Sequence, residues 1–269
     1  MRDLAGELLD AIDRAGGQVT DLLRSAAPGD AERRLPGSSW TVGDTAAHLA
    51  DGTGSYVDYL NGSTESWADL SDLPGGSLAA SNARHLAEVA DRDLGSLADA
   101  IDARLAEVAV AAGALDGDDR VFWHGLDVPL ATFLAAGLGE LLVHGLDMAK
   151  VLERPWPIPP GEAAMVAEGL VPLLHLLVAE EAAKGVRVTY ELRLRGGGTA
   201  TLAFRDGALD ARMGPAPDAD CRVSADPVAF LLVAYGRRSQ WSAAATGKLL
   251  AWGRKPWAAF RLTSLLVPP

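Results

Sequence analysis

GLGELLVHGLDMAKVLERPWPIPP, residues 137–160, decides how the chain is read. Its first half is apolar at a helical period and carries Glu140 and His144 four residues apart, so both side chains leave one helix face a single turn from each other. Its second half, RPWPIPP (154–160), holds four prolines and reads as a rigid, helix-free linker. The stretch therefore closes one domain and opens another.

Working upstream, WTVGDTAAHLADG (40–52) places His48 on another helix. Two imidazoles and a carboxylate carried by two helices are a donor set that catalytic zinc uses, with one position left open, and harder divalent metals accept it too. Spacing alone leaves the bland reading open, because an i,i+4 Glu–His pair is common on exposed helix faces. Each histidine is followed three residues later by an aspartate, Asp51 or Asp147. A carboxylate there can fix an imidazole's tautomer or handle a proton, or else be a solvated surface charge.

The rest of residues 1–154 is helical by pattern. Leu4, Leu8, Ile12, Val19 and Leu22 mark a first amphipathic helix. Thr41 with Asp44 is a capping-box-like start for a second, running to about Leu60. Leu86, Val89, Leu94, Leu97, Ile101, Leu105 and Val108 predict one long third helix from Leu78 to Ala112. Asp127 and Pro129 open a fourth that runs to about Glu153. Four such helices predict a bundle, whose metal sites lie between facing helices.

Downstream of the linker (155–160) the period changes. Residues 161–184 read as helical, 186–195 as a strand, 199–213 as a hairpin around Asp206-Gly207, and 221–225 as a strand. A short helix at 226–236, a strand at 246–253 and a closing helix at 255–266 follow. Residues 161–269 are thus a smaller α+β domain with an antiparallel sheet.

Composition excludes several classes. The chain has 269 residues, 49% apolar and 22% charged, which suits two globular domains. Residues 1–160 hold 11 Lys/Arg against 26 Asp/Glu, a balance of −15, and residues 161–269 hold 13 against 10. The acidic half repels phosphate backbones and the other lacks clustered cations, so no nucleic-acid partner is expected. A single cysteine, Cys221, rules out an intrachain disulfide and a cysteine-based zinc cluster. No apolar signal core opens the chain, and a cytoplasmic protein with no membrane association, monomeric or weakly dimeric, is expected. Nucleophile-elbow, phosphate-loop and dinucleotide motifs are missing.

His124 stands in a second His-Gly-Leu-Asp string, 124–127. A helix from Val128 puts roughly 18 Å between it and Glu140, which argues against a fourth ligand. Arg84 is a solvated helix residue or a bidentate clamp for a carboxylate. Trp241, Trp252 and Trp257 belong either to a core or to an apolar cavity.

WTVGDTAAHLA and ELLVHGLDMAKVLERPWPIP closely resemble the two signatures of the mycothiol-dependent maleylpyruvate isomerase family. ADPVAFLLVAYGRRSQWSAAATGKLLAWG (225–253) is similar to that family's C-terminal module. The resemblance covers nearly the whole chain. It implies a DinB-like four-helix bundle followed by a sterol-carrier-protein-like α+β domain. It also implies a divalent metal, zinc by default, on His48, Glu140 and His144. Asn82-Ala83-Arg84 resembles a family pattern as well, which points Arg84 toward the active site as a catalytic or cofactor-binding residue beside Asp51 and Asp147. The implied cofactor is mycothiol. A free thiol has a pKa near 8.5, and coordination to a metal deprotonates it. The implied activity is thiolate addition to an unsaturated acid such as maleylpyruvate, bond rotation and elimination to the trans isomer, or thiol transfer to an electrophile. Two other readings stay open: a thiol-independent metal enzyme of biosynthesis, and a non-catalytic module that carries an apolar small molecule.

Overall fold

The computed structural model describes residues 4–65 and 77–267. They form two compact units, and the chain passes from the first to the second between Pro157 and Ile158, inside the proline-rich stretch.

The first unit is built from α1 (Leu4–Arg24), α2 (Val42–Leu60), α3 (Ser77–Glu88), α4 (Leu94–Gly113) and α5 (Leu130–Leu152), with a hairpin of β1 (Arg120–Trp123) and β2 (Leu126–Pro129) between the last two. Helices α1, α2, α4 and α5 make the four-helix bundle. The start of α2 is pinned by a full capping box: Thr41 Oγ1 accepts from Asp44 N at 3.1 Å while Asp44 Oδ2 accepts from Thr41 N at 2.9 Å. That fixes the phase of the helix two turns before His48.

The single helix expected over 78–112 is two. Arg92 ends α3: its guanidinium donates to the carbonyls of Leu86, Val89 and Asp91 and to Asp44 Oδ1 at 2.9 Å, filling the acceptors a helix end leaves open. Asp93 starts α4, its Oδ1 accepting from Ser96 N at 2.8 Å. The apolar period runs straight across the break, so periodicity does not register it.

Helix α5 is the core of the bundle. Leu130, Phe133, Leu134, Leu138, Leu142 and Met148 are fully buried, each contributing about 1.5–3 kcal/mol over exposure. By length and composition α5 could cross a membrane, and 67% of that apolar window is buried within the protein, which accounts for its hydropathy. Gly137 lets α2 lie close, since a Cβ there would come 2.9 Å from Tyr56 Cε1.

The hairpin was not expected from the sequence. Its two-residue loop is His124 (φ 47°) and Gly125 (φ 85°), the paired left-handed conformation that matches strand twist. Arg120 pairs with Pro129 and Trp123 with Leu126.

The second unit holds a five-stranded sheet in the order β5-β4-β3-β6-β7, from β3 (Arg187–Leu194), β4 (Thr199–Arg205), β5 (Ala208–Met213), β6 (Cys221–Ala225) and β7 (Leu249–Trp252). Its pairings are antiparallel except β3–β6, which is parallel, so the antiparallel sheet expected is a mixed one. The β4–β5 turn is Asp206-Gly207, both at positive φ, as expected. Tyr190, Phe204, Leu202 and Cys221 fill the core, and Tyr190 Oη donates to Ala258 O at 2.9 Å.

Around the sheet stand α6 (Pro160–Gly169), α7 (Glu180–Ala183), α8 (Pro227–Ala234), α9 (Gln240–Ala245) and α10 (Ala259–Leu262). The helix expected over 161–184 stops at Gly169 and continues as a 3-10 segment, Val171–Leu177, because Pro172 cannot extend an α-helix. The closing helix expected over 255–266 shrinks to a 3-10 turn and α10. Trp241, Trp252 and Trp257 are all exposed, so none of them belongs to a core.

Candidate metal centre

Helices α2 and α5 bring His48, Glu140 and His144 together. Glu140 Oε2 is 3.3 Å from His48 Nε2 and 3.2 Å from His144 Nε2, and one donor atom from each residue lies within 4.8 Å of the others. Burial pushes the Glu140 carboxyl upward, but the hydrogen bonds and charges of His144 and His48 outweigh it and hold the group ionised well below the usual carboxylate range. The imidazole side chains are 13% and 16% exposed, whereas that of Glu140 is 39% exposed, so solvent reaches the cluster from the carboxylate side.

The donor set fits a divalent metal: two imidazole nitrogens and one carboxylate oxygen, all on rigid helices. The other nitrogen of His144 supports the same reading. Nδ1 is buried with no hydrogen-bond partner among the described residues, and Asp147 Oδ2 lies 3.8 Å away. If the proton sits on Nε2 to bond Glu140, a bare Nδ1 lone pair faces a carboxylate. If Nε2 serves as a ligand, the proton sits on Nδ1 and faces the same carboxylate favourably.

Two residues without an assigned role in the sequence hold this arrangement. Trp40 packs on both histidines, its centroid 5.0 Å from His48 and 6.1 Å from His144. Trp156, from the proline-rich stretch, donates its indole N–H to Leu142 O at 3.0 Å and lies on Gly145, where a Cβ would come within 2.0 Å of the ring. The available signals were the tryptophan that opens the first signature and the Gly that follows His144.

The remaining sequence candidates have other partners. Asp51 Oδ2 lies 3.7 Å from His85 Nδ1 on α3. Arg84 is exposed and donates to Ser81 Oγ at 3.0 Å. His124 is buried in the hairpin turn with Nδ1 2.9 Å from the Tyr59 hydroxyl, away from the cluster. Burial pushes its pKa down to about 4, with the charge of His85 adding to the shift. Cys221 is buried, and burial raises its thiol pKa.

A helical bundle with a His/His/Glu cluster, followed in the chain by a mixed-sheet α+β unit, defines the class of protein. The model of the mycothiol maleylpyruvate isomerase N-terminal domain matches residues 12–149, and that of the SCP-2 sterol transfer family matches residues 173–253. The chain belongs to the mycothiol maleylpyruvate isomerase family. It is similar to the crystal structure of the mycothiol-dependent maleylpyruvate isomerase, at 15% identity over 92% of each chain and a TM-score of 0.50. A histidine-to-alanine mutant of that isomerase matches at 15% identity, 92% of each chain and a TM-score of 0.52. At this identity the likeness is one of fold. No curated protein matches the chain in sequence.

Proposed function

We propose that the protein is a thiol-dependent isomerase of an unsaturated acid such as maleylpyruvate, using mycothiol and a divalent metal held by His48, Glu140 and His144. The observation that carries this reading is the convergence of two imidazole Nε2 atoms on one carboxylate oxygen in the family's N-terminal domain. A divalent ion there supplies the positive charge that makes a thiol ionise at neutral pH.

The chain's own residues provide the rest. Glu140, kept ionised by its two partners, offers a charge-bearing ligand across the pH range in which enzymes work. Asp147 orients the His144 ring through Nδ1, and Trp40 holds both imidazoles against rotation. The accessible side of Glu140 is where a thiol and an acid would approach.

Elemental analysis of the purified protein, paired with an isomerase assay with and without mycothiol, tests the proposal. About one equivalent of metal and strict dependence on the thiol are expected, and Glu140→Gln should lose most of the metal. Turnover without thiol would favour a biosynthetic metal enzyme instead. A metal-free protein that carries an apolar ligand would favour a binding module. Replacing maleylpyruvate by an epoxide or alkyl halide distinguishes isomerisation from thiol transfer.

A further inference from the structure

Charge is distributed most unevenly at the C-terminal end of the chain. Downstream of Asp226 the sequence holds six Lys/Arg and no Asp or Glu, whereas residues 1–226 hold 18 against 36. Among the described residues eight large apolar side chains are exposed, and five of them, Trp241, Leu250, Trp252, Trp257 and Phe260, fall in this basic stretch. Trp241 and Phe260 stack with centroids 4.9 Å apart. Gln240 braces the pair: its Nε2 donates to Phe260 O at 3.2 Å and its Oε1 accepts from Thr263 Oγ1 at 2.9 Å. Trp257, 63% exposed, precedes Phe260 by three residues. Lys248 pairs with Asp226, and Arg254 and Lys255 share Asp220. Arg238 and Arg261, close in sequence to the stacked rings, bond neutral oxygens of Thr246 and Ala182. A braced aromatic surface loses little freedom on being covered, and tryptophan with arginine is the composition of interface centres.

The first unit carries a surface of the opposite kind. Helices α1 and α4 together hold seven Asp/Glu against three Arg. Between them opens a cleft of about 290 Å³, lined by Leu9, Ile12, Leu105 and Val108 beside Asp13 and Asp102. Arg24 binds Asp99 and Asp102, at 2.7 and 2.6 Å, and leaves the two helices acidic overall. Val110, four residues beyond Ala106 of the cleft, is 76% exposed. Gly17 also lines the cleft, and a Cβ there would meet nothing within 4 Å. Glycine weakens a helix interior relative to alanine, and no described atom takes up the space this one leaves.

One surface is acidic and concave, the other basic and aromatic. We propose that a second copy of this chain joins them: the Trp241, Trp257 and Phe260 surface of one copy seats in the α1–α4 cleft of another, with Arg238 and Arg261 facing its carboxylates. The two surfaces differ, so the contact is heterologous, and exchanging it in both directions closes a two-fold dimer. Covering the aromatics supplies affinity, while opposite charge supplies steering and salt dependence. Patch against patch is disfavoured, because it brings like charges together. An anionic bilayer would match the basic surface and leave the cleft unexplained, whereas a second copy accounts for both. No residue of the His48, Glu140 and His144 cluster takes part, so the inference stands apart from the metal and thiol reading.

Sedimentation velocity on the full-length protein from about 1 to about 200 µM tests this. A monomer–dimer equilibrium is expected, weakening as salt rises from about 50 to about 500 mM. Trp257→Ser should raise the dimer Kd at least about 30-fold, as loss of a central anchor does. Gly17→Arg puts a cation into the cleft and should do the same, with the fold intact by circular dichroism because its Cβ has room. Mixing the two variants should recover association, since the Gly17→Arg copy still supplies the aromatics and the Trp257→Ser copy the cleft. A monomer at every concentration, a dimer that neither substitution weakens, or no recovery on mixing would overturn the inference. Salt-sensitive binding of a strictly monomeric protein to phosphatidylserine vesicles, lost in Trp257→Ser, would overturn it in favour of a lipid surface.

Discussion

The tetrapeptide His-Gly-Leu-Asp occurs twice, at 124–127 and 144–147, and does two unrelated things. In the first copy His124 and Gly125 are the left-handed turn of a hairpin, and Asp127 bonds Arg120 across it at 2.5 Å. In the second all four residues are helical, His144 joins the His48/Glu140 cluster, Gly145 seats an indole, and Asp147 faces the imidazole. The surroundings decide. The first copy lies among alternating residues, RVFW and LDVP, and the second inside a helical period nineteen residues long from Phe133 to Val151. Identical residues have no fixed role until the period around them sets their φ values.

Exchanging the histidines breaks the comparison most strongly. His144→Ala should abolish bound metal and thiol-dependent turnover, by more than the ~10–100-fold that loss of an outer partner produces. His124→Ala should keep the metal and lose about 2–3 kcal/mol of stability from its buried hydrogen bond and volume, read by urea denaturation. His124 also makes stability depend on pH. Its folded pKa of about 4 lies below the ordinary 6.5, so the unfolded chain binds more protons between those values. Stability should therefore fall as pH drops from about 6.5 towards 4, by about 3 kcal/mol in total, and His124→Gln should flatten that slope.

The glycines sharpen the contrast. Ala normally improves a helix interior by about 1 kcal/mol over Gly. Gly145→Ala should do the reverse, losing about 1–3 kcal/mol as the new Cβ displaces Trp156, with a shift in tryptophan fluorescence. Gly125→Ala should lose about 1 kcal/mol, because its positive φ disfavours a side chain.

The aspartates give the smallest difference. Asp147→Asn should weaken metal binding about tenfold through His144 Nδ1. Asp127→Asn should change thermal stability by less than about 1 kcal/mol, because its pair with Arg120 is solvent-exposed.

Much of the fold was legible. The Glu140–His144 spacing, the Thr41/Asp44 cap, the apolar face of α5 and the Asp206-Gly207 turn are local patterns, and local patterns survive in a linear chain. The break in the third helix was not, because Arg92 ends it through Asp44, forty-eight residues away, while the apolar period continues unbroken. The hairpin was hidden for a different reason: its turn is His-Gly, a weaker signal than Asn-Gly or Asp-Gly.

For the site, sequence by itself determined which residue types could act and which helix faces they share: His48 with Asp51, and Glu140 with His144. These follow from 3.6 residues per turn and need no partner. Tertiary structure alone decided that the two faces meet at one oxygen, that Asp51 turns to His85, and that Trp40 and Trp156 brace the histidines. Contacts between residues 48 and 140, or 51 and 85, depend on how helices pack, and packing is set by the summed shape of many side chains with no imprint on any short stretch.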